Sequence, residues 1–370
     1  MGFQPDRPPR SQVENLIYGP WKVAMNILHL VPTLGYNGAS TQLGLLAKCA
    51  PTTHSIRICC LGGEGPWAQR LRAQAKRVEC LNWTRVFDPT PLLKLRRLLK
   101  SEPPDLIHAW GFPPLRLLGL IARRWLPRTL VSLRLPHQLN DVNRFDRWLL
   151  ARVHKVVASS KFEMAQCREL GVPESSIAYI VPGVEVQSHS SPADGKHIMC
   201  LGELTQRKGF RDAIWAFDIL YYLFRDTRFS LVGDGPQRDY LHWFVTCLAR
   251  NNEIAFHGAR EDAAALLADA NVFWAPTVAG NSRQVVLEAL AAGRPVVTAD
   301  HPVLREIIAD GQTGFLVPPG DQIAVCKRTR SLLLDPAMAK QIGASARAHV
   351  AKYFAADAFA QQWFEQYAAA

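Results

Sequence analysis

Unbroken apolar runs of strand length recur along the chain, separated by stretches whose apolar residues repeat at helical spacing. Met25–Val31 is the first run, and Thr41–Cys49 after it sets Leu43, Leu46 and Ala47 on one helical face. Ser55–Leu61, Leu106–Trp110, Leu130–Leu133, Lys155–Ala158 and Ile177–Val181 read as further strands, with helices near 67–76, 90–100 and 161–170. Runs without polar alternation predict strands buried on both faces, hence a parallel sheet between helix layers. Turn formers at Ser188–Gly195 read as a linker. The alternation then restarts with Ile198–Leu201, Phe229–Val232, Ile254–Phe256, Val272–Ala275 and Pro295–Thr298. Arg283–Ala292 is a well-spaced helix, and helices near 321–333, 336–352 and 355–368 close the chain. Two such series predict an α/β chain of two Rossmann-like domains facing a cleft. The expected division is a mobile Pro-rich extension at 1–24, a first domain at 25–186 with 355–370 crossing back to it, and a second domain at 187–354.

A length of 370 residues suits two domains. No run of 18 apolar residues exists and the start lacks an apolar core, so neither a spanning helix nor a secretory signal is expected, and a cytoplasmic location is. Eight cysteines without a C-x-x-C pair fit reduced core thiols. The net charge of +11 is lopsided: residues 1–185 carry 25 Lys/Arg against 13 Asp/Glu, and the rest is nearly neutral. A basic first half suits an anionic partner. Lys94–Arg97 and Arg123–Arg128 interleave cations with apolar residues, which fits solvated faces or a peripheral anionic membrane surface. No nucleic-acid motif accompanies them, so no nucleic acid is expected.

The dinucleotide fingerprint is missing after the first strand, and P-loop, HExxH and G-x-S-x-G patterns are missing too, which argues against those chemistries. The second half carries ordered blocks instead. Gly202-Glu203-Leu204 ends a strand, and Lys208-Gly209 opens the next helix, where a Lys is well placed for phosphate. Gly233-Asp234-Gly235-Pro236 is a tight turn, and Gly280-Asn281-Ser282-Arg283 leads into a helix that holds Glu288 two turns inside. Free amides at that helix start form an anion site.

These blocks, in this order, resemble the nucleotide-sugar half of a retaining glycosyltransferase of the GT-B fold, family 4 type. Gly38-Ala39-Ser40 resembles the family's Gly-rich loop after strand one, with Asn37 in place of the first Gly. Pro104–His108 and Ile180–Val184 resemble its "PDxIH" and pre-linker strands. The resemblance implies sugar transfer from a nucleoside-diphosphate sugar, the co-substrate, to a hydroxyl of a lipid-linked, polysaccharide or small-molecule acceptor. No metal or other cofactor is implied, because Lys/Arg and helix amides serve the diphosphate.

The same resemblance assigns Lys208 to the diphosphate and Glu288 to the nucleotide ribose. Glu203 stands where the family has an Arg, and Gly280 where the first Glu of its E-x7-E pair stands. Arg207 or Arg283 can replace the lost Arg, and Asn281 and Ser282 complete the expected donor loop with Gly38 opposite. The family often carries a His after the strand equivalent to Leu130–Leu133; here Arg134 follows it and His137 comes three residues later. The expected catalytic groups are therefore Lys208, Arg207 and His137. The inverted charge at Glu203 and the missing carboxylate at Gly280 support an alternative: a degenerate member that binds nucleotide or a partner without transfer.

Overall fold

The computed structural model describes residues 24–74, 76–83, 88–133, 139–186, 195–277 and 282–370. The extension expected at 1–24 and the linker expected at 188–195 fall outside them, but for Ala24 and Gly195. Seven parallel strands form the first sheet: β1 (Asn26–Val31), β2 (Ser55–Cys60), β3 (Arg77–Cys80), β4 (Leu106–Trp110), β5 (Thr129–Ser132), β6 (Lys155–Ala158) and β7 (Ile177–Tyr179). Their spatial order is β3-β2-β1-β4-β5-β6-β7. Six more form the second: β8 (Lys196–Leu201), β9 (Thr227–Val232), β10 (Ile254–Phe256), β11 (Val272–Ala275), β12 (Val296–Ala299) and β13 (Phe315–Val317), ordered β10-β9-β8-β11-β12-β13. Both orders reverse beside the domain's first strand, the arrangement of a Rossmann-like fold. The apolar residues at the middle of the central strands are buried, with Ile27, Leu30, Ile107, Ile198 and Phe273 fully covered, as unbroken apolar runs require.

Sequence pattern misses β3 and β13. Arg77–Cys80 is a half-exposed edge strand, and Phe315–Val317 is only three residues long. The helix Phe112–Ile121 also escapes it, because Pro113 and Pro114 read as breakers. At the first turn of a helix, where amides have no partner in any case, proline is tolerated.

The final helix, Ala356–Ala368, packs on the first sheet and not the second. Phe359, Trp363, Phe364 and Tyr367 join the core that holds Ile27, Leu43 and Ile58. Beneath it lie two fully buried histidines on neighbouring strands, His29 and His108, in register with each other. Trp110 Nε1 donates to His29 Nδ1 at 3.2 Å, and His108 bonds Tyr367 Oη at 2.6 Å and Ser132 Oγ at 2.7 Å. Burial, with a smaller push from Lys76, lowers the His29 pKa to about 3, and burial also lowers that of His108. Histidines held neutral in the fold take up protons once unfolded, so their contribution is complete above pH 6.5 and shrinks as pH falls below it. His29 should remove about 2 kcal/mol between pH 7 and pH 5, and His108 adds a loss in the same direction. Urea titrations should show this loss in the native protein and a smaller one in His29→Gln. Equal stability at the two pH values would contradict it.

Candidate active site

Both sheets point the C-terminal ends of their strands at one cleft, where the loops diverge at the switch points of each strand order. The cleft holds a cavity of about 1020 Å³ lined by both domains. Gly38, Trp67 and Arg70 line it from the first, and Gly202, Glu203, Asp234 and Glu288 from the second.

Gly38 opens the helix Gly38–Lys48, which points its N-terminal end at the cleft. Asn37 precedes it as N-cap, its side chain accepting from Ser40 N at 3.0 Å. That capping role gives a physical reason for Asn at this place. One turn on, the Trp67 ring packs so closely on Gly44 that an added Cβ would lie 2.1 Å from it. Only glycine lets this aromatic ring form the cleft wall.

Across the cleft, the loops after β8 and β9 abut. A Cβ on Gly233 would meet Gly202 O at 1.8 Å, and one on Gly235 would meet Leu204 O at 2.6 Å. Leu204 N donates to Asp234 O at 3.0 Å, tying the loops together. The Gly-Asp-Gly-Pro turn is thus a packing device that sets Glu203, an exposed carboxylate, in the cavity wall.

The short turn Gln206–Lys208 follows, closed by Gly209 in the left-handed conformation at φ 70°. Lys208 Nζ donates to Ser282 Oγ at 3.3 Å. Ser282 in turn bonds Thr277 Oγ1 and stands at the head of the helix Arg283–Ala291. An ammonium and a helix N-terminus meet here, and both attract an anion. Arg207, on the same turn, is exposed, and no contact places it with Lys208 and Ser282.

Arg283 is turned elsewhere. Its buried guanidinium donates to Ser159 O at 2.7 Å and to Glu163 Oε1 at 3.3 Å, both on the first domain. Sequence position assigns this Arg to the diphosphate; the structure commits its donors to the domain boundary. Glu306 makes a second crossing nearby, its carboxylate accepting from Lys161 N at 2.9 Å and Phe162 N at 3.1 Å, the first amides of the helix Lys161–Glu169. On the opposite side Arg70 and Tyr36 of the first domain reach Glu261 of the second.

Glu288 is half-buried in the cleft wall, and burial pushes its carboxyl up to about 7 despite a hydrogen bond from Gln284 Nε2 at 2.9 Å. The cavity wall therefore gathers Gly38, Glu203 and Glu288, while Lys208 and Ser282 pair at a helix start outside its lining. Gly280, Asn281 and His137 lie outside the described residues. Sequence reasoning passed over Trp67, Gln42 and Gln284, none of which belongs to a motif.

A family model described as "Glycosyltransferase Family 4" matches residues 36–188, and one described as "Glycosyl transferases group 1" matches residues 195–335. The phosphatidyl-myo-inositol mannosyltransferase of Mycolicibacterium smegmatis is 30% identical over 286 residues, 72% of this chain and 72% of that protein. The protein of the same name from Mycobacterium leprae is 31% identical over 217 residues, a span of 56% of either chain. Anabaena Alr3699/HepE in complex with UDP-glucose has the same fold, with a TM-score of 0.80 at 22% identity over 94% of this chain and 100% of that one.

Proposed function

Since the chain is a glycosyltransferase of family 4 with the GT-B fold, we propose that it moves a sugar, with retention, from a nucleoside-diphosphate sugar to an acceptor hydroxyl. The observation that carries this reading is the meeting of Lys208 Nζ with Ser282 at the head of the helix Arg283–Ala291. As the glycosidic bond breaks, negative charge grows on the leaving diphosphate, and fixed donors aimed at it lower the barrier. Lys208 and the helix amides supply that field without a metal ion. Glu288 offers a carboxylate acceptor to the two ribose hydroxyls, and Gly38 lets the first domain approach the bound donor closely. Retention means that the acceptor oxygen enters on the face from which the diphosphate departs.

The acceptor in this reading is lipid-linked and presented at an anionic membrane surface. Two named relatives are phosphatidyl-myo-inositol mannosyltransferases, and the basic half of this chain carries an aromatic cluster ringed by cations. Arg123 and Arg152 stack over Trp148 at 5.2 and 4.2 Å, and Phe145 stacks on the same ring. Among the described residues no helix is long and apolar enough to cross a membrane, so such contact would be peripheral.

A second reading, nucleotide binding without transfer, is favoured by Glu203, whose carboxylate lines the cavity where a cation would help the phosphates. The two are separated by incubating the protein with UDP-, GDP- and ADP-linked hexoses, with and without anionic vesicles, and measuring released nucleoside diphosphate. The transferase reading expects release with at least one donor. Nucleotide binding without release from any donor, together with gain of release in Glu203→Arg/Gly280→Glu, would establish the second reading instead.

A further inference from the structure

Gln42, Gln284 and Glu288 form a continuous hydrogen-bonded chain from a backbone peptide between the domains to the cleft. Gln42 lies in the helix Gly38–Lys48 of the first domain and is buried. Its amide grips Gly183 twice: Nε2 donates to the Gly183 carbonyl at 2.7 Å, and Oε1 accepts from the Gly183 N–H at 2.9 Å. This double contact fixes which end of the amide is nitrogen, because a flipped amide would face donor with donor and acceptor with acceptor. Nε2 also donates to Gln284 Oε1 at 2.7 Å. Gln284 then has only its own Nε2 to offer onward, and it donates to Glu288 Oε1 at 2.9 Å. The polarity of the chain is set by one peptide, and it delivers an N–H to the carboxylate.

That peptide is no ordinary loop position. A Cβ on Gly183 would lie 2.7 Å from Phe359 Cβ of the final helix. The next residue, Val184, exchanges hydrogen bonds with the returning segment: its N–H donates to Phe354 O at 2.8 Å, and its carbonyl accepts from Ala356 N at 3.1 Å. The two stretches by which the chain passes between the domains thus run side by side, and Gln42 reads one of them.

We propose that Gln284 is a positioning residue for Glu288 and that Gln42 couples it to the interdomain crossover, so that the carboxylate has its full hydrogen-bond support only in the domain arrangement seen here. The proposal rests on the reading of Glu288 as the ribose acceptor. Burial raises the Glu288 pKa and the Gln284 N–H opposes the rise, so removing that donor raises it further. The other charged groups around the cleft are Lys48 with Glu185, Arg70 with Glu261, Glu203, Asp234 and Arg260, with Lys208 at the helix start. None of them changes in the variants below.

The test is calorimetric titration of the full chain with UDP and with GDP from pH 6 to pH 9. A carboxylate accepts from two hydroxyls and a neutral acid does so poorly, so native affinity rises with pH through about 7. In Gln284→Leu the midpoint moves up. A rise of one unit makes the loss about five-fold at pH 7 and nearly nothing at pH 9. The terminal phosphate of the nucleotide, which itself titrates near 6, cancels in the variant-to-native ratio. Gln42→Met should give the same pH pattern at smaller amplitude, although Gln42 belongs to the opposite domain. The double variant should be no worse than Gln284→Leu alone. Gln284→Met, closer in shape, replaces Gln284→Leu if the latter does not fold. A loss of equal size at every pH, or no loss, overturns the proposal while leaving the nucleotide reading standing. Native protein that binds neither nucleotide at any pH overturns both.

Discussion

Replacing Arg283 by Met while Glu163 remains should cost about 3–5 kcal/mol of stability. The two side chains are 9% and 4% exposed and meet at 3.3 Å across the domain boundary. Glu163 also accepts from Ser159 N at 2.9 Å and Ser159 Oγ at 2.6 Å, and Arg283 binds the carbonyl of the same residue. Each charge has been taken out of water and is held by the other and by one serine. Removing the guanidinium leaves a buried carboxylate with two hydrogen bonds and no counterion, which is the costly half of a buried pair. Removing both, in Arg283→Met/Glu163→Leu, should recover most of the loss, since apolar replacements of similar volume tolerate burial. Urea denaturation of the three proteins decides it. A single variant within about 1 kcal/mol of native would mean that the pair is not formed in solution, because that is the scale of an exposed pair.

The layered fold was legible because nearly every strand is a run of apolar residues closed off by turn formers. Leu106–Trp110 and Val272–Ala275 are covered on both faces, and the buried, hydrogen-bonded His108 is the one polar residue in them. Edge strands such as Arg77–Cys80 answer to a neighbour on one side only, and their composition carries little of that constraint. The helix Gly38–Lys48 begins three residues before the apolar spacing does, because Asn37 caps it while Gly38 and Ala39 contribute no apolar stripe.

The site was legible where chemistry is local. A lysine before a glycine at a helix entrance can be read from spacing, and Glu288, two turns into a helix, was assigned by the family resemblance. Arg283 was not legible, because its partner Glu163 lies 120 residues away on the other domain. At a helix start a cation reads as an anion ligand until the opposite carboxylate is in view. Gln42 and Gln284 are further out of reach: 242 residues apart, they acquire meaning only when the crossover peptide at Gly183 stands between the domains. Glu203 is the converse case, visible in sequence as a departure and found exposed in the cavity wall.

Lys208→Ala should weaken UDP or GDP binding about ten- to hundred-fold, the size of one charge-assisted contact of roughly 1.5–3 kcal/mol. The ammonium stands 3.3 Å from Ser282 Oγ at the head of a nine-residue helix, so two independent sources of positive potential fall on one spot. Gly209, at φ 70°, turns the chain there, so Lys208 is delivered by a backbone conformation that other residues rarely adopt. The contact is to ground-state phosphates, so the loss should appear in nucleoside diphosphate binding and not in binding of uridine or guanosine, which carry no phosphate. It should shrink as salt rises, and Lys208→Arg should retain part of the affinity through its charge. Glu203→Gln should act in the opposite sense. It removes a like charge from the cavity wall and should tighten the same nucleotides several-fold at low salt and less at high salt. Calorimetry on the four proteins separates the possibilities. Equal losses for UDP and uridine in Lys208→Ala would show that the lysine acts through the loop's fold and not on the phosphates, and no change in Glu203→Gln would place its carboxylate outside the reach of the bound diphosphate.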